Sequence, residues 1–209
     1  MKVLGIFTHP DDEVIFGWPI FQDKLINRHL AICIDDYKKA GTAKSDALKE
    51  VCQVEGIKLD WIGHSEGSYF RMMRVPDVTT PVHRIQNLIK KILRIVDFVK
   101  PDYVFTHNFW GDNGNSEHRL TSEIVVNFVM GYNILMTDRC DSNNAWLAYD
   151  TIPRMHREFF LPKNVLKNCS LSEEFFLRCK AVYDKYGMWT GPTVLTDCLK
   201  KTTLYCMRK

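Results

Sequence analysis

Val3-Leu4-Gly5-Ile6-Phe7 runs without a break into Thr8-His9-Pro10-Asp11-Asp12-Glu13. Five apolar residues are the length of one buried strand, and the polar string that follows marks its end. Pro10 fixes φ and carries no N–H, which suits the first position of a helix, and the dipole favours acids in the turn that follows. Those features alone describe an acid-rich helix start. His9 adds to them: an imidazole and a carboxylate three residues apart, on either side of a tight strand-to-helix turn, can converge on one divalent ion. Adjacent carboxylates point different ways. Asp12 can therefore ligate while Asp11 stays off the ion and accepts a proton from water.

Downstream, Ile15, Phe16, Ile20, Phe21 and Leu25 form an apolar stripe that predicts a helix from Asp12 to about Asn27, with Gly17 and Pro19 disturbing its first turns. A second strand is expected over His29 to Ile34, ending at Asp35-Asp36; these acids read either as ligand groups beyond a strand's carboxyl end or as a solvated turn. Thr42 to Glu55 predicts a helix stopped by Gly56, and Ile57 to Ile62 a third strand. This β-α-β-α-β alternation predicts an α/β fold with a parallel, doubly wound sheet. Residues 68 to 80, aromatic and aperiodic, read as a lip over the site or a plain surface crossover. Thr79 to Lys100 is amphipathic and predicts a long helix ended by Pro101, and Asp102 to Thr106 a fourth strand.

That strand leads into His107-Asn108-Phe109-Trp110-Gly111-Asp112-Asn113-Gly114-Asn115-Ser116-Glu117-His118-Arg119, a loop rich in glycine and amides that opens a helix expected to reach about Tyr132. In a parallel sheet both loops lie at the same carboxyl edge, so His118 can reach a metal held by His9 and Asp12. Two histidines and one carboxylate leave a fourth position for water, as in hydrolytic zinc sites. A fifth strand is expected over Ala145 to Tyr149 and a last helix over Ser172 to Tyr186. Gly187 to Pro192 reads as a packing loop.

The chain has 209 residues, 45% of them hydrophobic, and a net charge of +3. That length fits a single domain. A scattered charge this small argues against nucleic acid as a partner. No apolar run approaches the ~20 residues of a membrane span, and the first strand is too short for a signal peptide's core, which points to a cytoplasmic protein. Seven cysteines, an odd number without a CxxC pair, are expected to be reduced and used as small apolar fillers.

The string His9-Pro10-Asp11-Asp12-Glu13 after a first strand, with Gly17-Trp18 beyond it, resembles the signature of the LmbE-like (PIG-L) family of zinc-dependent de-N-acetylases. The resemblance implies a Rossmann-like three-layer sandwich with a metal site at the carboxyl edge of a mostly parallel sheet. It also implies removal of acetyl groups from N-acetylglucosamine-like glycosides, glycan precursors or nucleotide-sugars. Carried over by position, His9, Asp12 and His118 hold Zn2+ or another divalent transition metal, and Asp11 is the general base. Asn115 stands where the family has a histidine that assists the developing oxyanion; an amide can donate one hydrogen bond there but carries no charge. Lys44 matches, as a point charge rather than a fork, an arginine that helps hold the sugar. Glu66 stands near an Asp-Gly whose acid binds sugar hydroxyls. His107 and His64 are substitute donors near the substrate, or structural histidines. Lys180 with Tyr186 resembles a Lys-x5-Tyr pattern near the family's end.

Two rival readings stand beside this one. A sugar-binding module with the same scaffold would keep the metal and lose the chemistry, as the change at Asn115 allows. A metal-dependent glycosyltransferase would use Asp35-Asp36 or Asp11-Asp12 on a nucleotide diphosphate, without a DxD triplet or a phosphate-cradling glycine loop.

Overall fold

The structure, a computed structural model, describes residues 1–36, 43–65, 80–109, 111–112, 115–137, 164–191 and 200–207. Its strands are β1 (Lys2–Phe7), β2 (Asn27–Asp36), β3 (Lys58–Ser65), β4 (Tyr103–Thr106), β5 (Asn133–Thr137), β6 (Val165–Ser170) and β7 (Lys201–Met207). The helices are α1 (Asp12–Ile15), α2 (Trp18–Phe21), α3 (Ala43–Glu55), α4 (Thr80–Val99), α5 (Ser116–Phe128) and α6 (Glu173–Lys185).

Among the described residues the strands form one sheet in the order β3-β2-β1-β4-β5-β7-β6. The first five of these run parallel, and β7 is antiparallel to both β5 and β6. The expected mostly parallel Rossmann-like sheet is what the chain builds. The chain winds outward from β1 through β2 to β3, then crosses back to β4 on the other side of β1. Such a reversal leaves a crevice beyond the carboxyl ends of the two central strands, where open α/β sheets place ligands.

From Val3 onward β1 is apolar because both its faces are covered. Val3 and Phe7 join one buried cluster with Phe21, Leu48, Phe175 and Tyr183. Leu4 and Ile6 join another with Ile92, Val96, Ile124 and Val125. Each face of a central strand thus has its own helical layer. α4 supplies Leu88, Ile92 and Val96 to the second cluster, the stripe read from its sequence.

Several boundaries differ from expectation. The helix predicted from Asp12 to Asn27 is two short turns, because Gly17 and Pro19 interrupt it: Gly17 is the N-cap of α2 and Pro19 lies in its first turn. A Cβ at Gly5 would come within 2.5 Å of Phe21, and one at Gly17 within 2.7 Å. The two glycines make room for the Phe21 ring between strand and turn. Pro10 precedes the N-cap, Asp11, rather than opening the helix. The fifth described strand is Asn133–Thr137, directly after the helix end expected at about Tyr132 and not itself expected; the expected strand Ala145 to Tyr149 lies outside the described residues, as do Glu66 and the aromatic stretch up to residue 79. β6 and β7 were not foreseen. No helix among the described residues is long and apolar enough to cross a membrane. Cys33, Cys52, Cys169, Cys179 and Cys206 are buried, as fillers should be, and burial pushes the Cys33 thiol up to about 12.

Candidate metal centre

The end of β1 and the start of α5 meet at the sheet's reversal point. Thr8 ties them: its hydroxyl shares a 2.8 Å hydrogen bond with the Thr121 hydroxyl and lies 3.3 Å from the Glu117 carbonyl. Around this seam His9 Nδ1 lies 3.1 Å from His118 Nε2, His9 Nδ1 3.6 Å from Asp12 Oδ2, and His118 Nε2 3.5 Å from Asp12 Oδ2. All three residues are buried. Ligand atoms on a tetrahedral zinc at its usual bond lengths are separated by about 3.3–3.5 Å. The triangle of two nitrogens and one oxygen is therefore the size and chemistry of one face of such a site, and the three residues predicted as ligands are the ones brought together.

His107, Asp112 and His118 form a second buried group. It does not suit a metal equally well. The His107 and His118 rings stack with centroids 3.9 Å apart and only 11° between their planes, so their in-plane lone pairs run parallel instead of converging. The His9 and His118 planes are tilted by 52° and can converge. The second group supports the first. Asp112 lies 3.5 Å from His118 Nδ1 and pairs with His107 Nδ1. A carboxylate behind a metal-bound imidazole fixes its tautomer and raises its basicity.

His107, read from the sequence as a substitute donor near the substrate or a structural histidine, is buried in this seam. It is 1% exposed, its Nδ1 pairs with Asp112, and its Nε2 accepts the Thr8 amide at 3.1 Å. Burial opposes a charged ring, but Asp112 on Nδ1 and Asp12, 3.3 Å from Nε2, outweigh it and push the His107 pKa up to about 9, whereas the Thr8 amide directed at Nε2 favours a ring protonated on Nδ1 alone. The ring is packed edge-on against Phe7 and Phe16 beneath the triad. His64 is also buried, at the end of β3.

Protonation favours a cation. Burial opposes ionisation of Asp12, but the imidazoles of His118 and His107 more than offset it and hold the carboxyl well below its usual range. Burial pushes His118 down to about 4. At neutral pH Asp12 is thus a carboxylate and His118 a neutral imidazole, the forms that bind metal.

Asp11 is set apart from the triad by its backbone. Its φ of 90° is in the left-handed region, which an aspartate adopts at a cost and only where surroundings hold it. Its amide donates to Glu13 Oε2 at 2.9 Å, and Glu13 Oε1 accepts the Tyr183 hydroxyl at 2.8 Å. Its carboxylate Oδ2 lies 3.0 Å from Lys44 Nζ and accepts the Thr190 hydroxyl. Burial raises the Asp11 pKa, with Lys44 and Thr190 pulling against it. Burial likewise lifts Glu13 to about 8, against the Tyr183 hydrogen bond. Lys44, expected to hold sugar, is 3% exposed and spends its charge on Asp11.

Asn115 is the N-cap of α5, its Oδ1 accepting from the Glu117 and His118 amides at 2.8 and 3.4 Å. Any donation from it toward a substrate comes from Nδ2. Gly111, at φ 73°, lets the preceding loop close on this cap: a Cβ there would stand 2.3 Å from the Asn115 carbonyl oxygen. Lys180 pairs with Asp184, and Tyr186 with Glu50, and neither pair includes a triad residue.

The residues missed in the sequence are Glu13, Asp112, Tyr183 and Thr190. Asp112 carried a signal, lying in the loop before His118. Tyr183 and Thr190 had none, since nothing local announces that α6 and the turn after it return to the first strand's end.

The whole chain superposes on the zinc-inhibited form of the teicoplanin deacetylase Orf2 with a TM-score of 0.67 and 12% identity, covering 100% of this chain and 99% of that one. It is similar also to the A40926 pseudoaglycone deacetylase Dbv21, with a TM-score of 0.62, 12% identity and coverage of 99% and 97%. GalB, the 4-carboxy-2-hydroxymuconate hydratase from Pseudomonas putida KT2440, matches with a TM-score of 0.51, 11% identity and coverage of 100% and 96%. At such identities the likeness is one of fold, and this fold carries more than one chemistry. No curated protein sequence matches. The family model for PIG-L, GlcNAc-PI de-N-acetylase, matches residues 4–129, a span that contains the triad and Asp11. The chain belongs to the PIG-L family, LmbE-like in fold and in the motif at its first strand's end.

Proposed function

We propose that the protein is a metal-dependent hydrolase that removes the acetyl group from an N-acetylated sugar, an N-acetylglucosamine-like glycoside, glycan precursor or nucleotide-sugar. The observation that carries this reading is the buried triangle of His9, Asp12 and His118, with edges of 3.1 to 3.6 Å. His9, Asp12 and His118 would hold a divalent cation, zinc by the character of the donor set, which would supply Lewis acidity and make water a better nucleophile near neutral pH.

The chain's own groups do the rest. Asp11 accepts the proton of the attacking water on Oδ1, since among the described residues Lys44 and Thr190 both engage Oδ2. Burial raises its pKa toward the working pH, which makes it a better base. The same carboxyl returns the proton to the amine as the amide C–N bond breaks. Lys44 keeps Asp11 anionic before the transfer and stabilises the pair during it. Asn115 donates from Nδ2 to the developing oxyanion, and Glu66, in a segment outside the described residues, contacts sugar hydroxyls.

The test is acetate release from a panel of N-acetylated glycosides and nucleotide-sugars, with zinc added and removed. Asp11→Ala should keep its metal content and lose release by about 10²-fold or more. Undiminished turnover in that variant removes Asp11 from the mechanism. Full metal content with no acetate from any substrate, in the wild type, favours the sugar-binding module instead.

A further inference from the structure

The family model ends at residue 129, yet two of the side chains that fix Asp11 come from residues 183 and 190. Tyr183, on the inner face of α6 and fully buried, donates to Glu13, whose other oxygen accepts the Asp11 amide. Thr190, in the turn after α6, donates to Asp11 Oδ2, and its hydroxyl is also 3.3 Å from Lys44 Nζ. One segment thus grips Asp11 twice, by its backbone N–H and by its carboxylate. Asp11 needs such a grip, because its left-handed backbone is not a resting conformation for a side chain of that kind.

The segment is itself rigidly seated. Trp189 packs against Phe176 and Tyr183, with ring centroids 5.5 and 5.9 Å apart. A Cβ at Gly191 would come within 2.5 Å of that indole. Ser172 caps the start of α6, and Gln22 bonds to Ser172 and Ser170, so the helix is tied to the end of α2. Arg178 reaches Glu55 at the end of α3 at 2.8 Å.

We infer that residues 173–191 form a clamp that positions Asp11, with Tyr183 (acting through Glu13) and Thr190 as positioning residues that leave Oδ1 as the oxygen open to water. The inference rests on reading Asp11 as the base. It assigns to a segment beyond the family-matched region the task of aiming a group inside it. Thr190 is exposed at the rim, so its side chain can be changed without disturbing the core.

The experiment has two arms, on the full chain. In the first, thermal unfolding of the metal-free protein is measured for Thr190→Val, Asp11→Ala and the double variant. Thr190→Val should lower Tm by about 2–4 °C in the wild-type background and by less than half of that when Asp11 is already alanine. Equal shifts in both backgrounds overturn the clamp, whatever the protein's activity. In the second, kcat and KM for acetate release are measured with zinc content checked. Thr190→Val and Tyr183→Phe should each lower kcat about 10- to 100-fold with KM and zinc content unchanged, and Thr190→Ser should restore it. An unchanged kcat in Thr190→Val overturns the positioning role. A wild-type chain that releases no acetate at all defeats the proposed reaction, and the unfolding arm still decides whether the clamp exists.

Discussion

Asp112 lies 3.5 Å from Nδ1 of His118, across the ring from the Nε2 that faces His9. The same carboxylate pairs with His107, whose ring is stacked on His118, so one acid orients two buried imidazoles. Asp112→Ala should weaken zinc affinity about 10- to 100-fold while leaving all three ligands in place. A competitive chelator titration measures this. Wild-type affinity in the variant would mean that packing against Phe16 and His107 suffices to orient His118.

The triad places two imidazoles and a carboxylate, all buried, within 3.6 Å of one another, which is costly without a cation among them. Zinc at 100 times its Kd should stabilise the protein by about 2.7 kcal/mol, a rise in Tm of about 5–10 °C. Dialysis against a chelator should reverse the rise, and His118→Ala should abolish it. Scanning calorimetry with and without metal is the check.

Asn115 accepts two amides of the α5 first turn. Asn115→Ala should cost about 1 kcal/mol, whereas Asn115→Asp, which keeps the cap and adds a charge the dipole favours, should be close to neutral. Urea unfolding separates the two. Equal losses in both variants would show that Nδ2, not Oδ1, is the atom that matters for stability.

His29 sits low in β2, paired in register with Leu4 and Lys58, and its Nδ1 has no hydrogen-bond partner among the described residues. Burial lowers its pKa from the ordinary value, Lys58 and Lys2 add to that, and Asp60 opposes. The folded pKa lies below the unfolded value of ~6.5, so the unfolded chain binds the proton better. Stability from the neutral ring is full above about pH 6.5 and is lost as pH falls through the folded pKa. Comparing Tm of the wild type and His29→Gln across pH 5 to 8, the wild type's advantage should shrink on the acid side. A constant difference across that range would remove His29 from the acid response.

β1, β2 and β4 were legible because their buried stretches read as short apolar runs between helices, and β3 because Gly56 marks the helix stop before it; β5 went unread. β6 was not: five of its six residues are exposed, and an edge strand without an apolar face has no period to read. β7 alternates, but nothing near it in the chain says which strand it joins. The triad was legible because His9 and Asp12 are neighbours and His118 opens a helix just past a strand. The grip on Asp11 was not, because Tyr183 looks like any core aromatic of an amphipathic helix. Lys44 shows the same limit from the other side: its position on α3 was noticed, but its partner is fixed only by how that helix docks against the turn after β1.

His9 and His118 are 109 positions apart, and only the finished winding of β1, β4 and α5 brings their rings within 3.1 Å. An unfolded chain offers a cation scattered thiols and imidazoles and the short-range pair His9 and Asp12, but not the closed triad. Uptake of a spectroscopically visible ion such as cobalt during refolding is therefore a clock for the moment the crossover closes, and its lag behind helix formation times the assembly of the central strands.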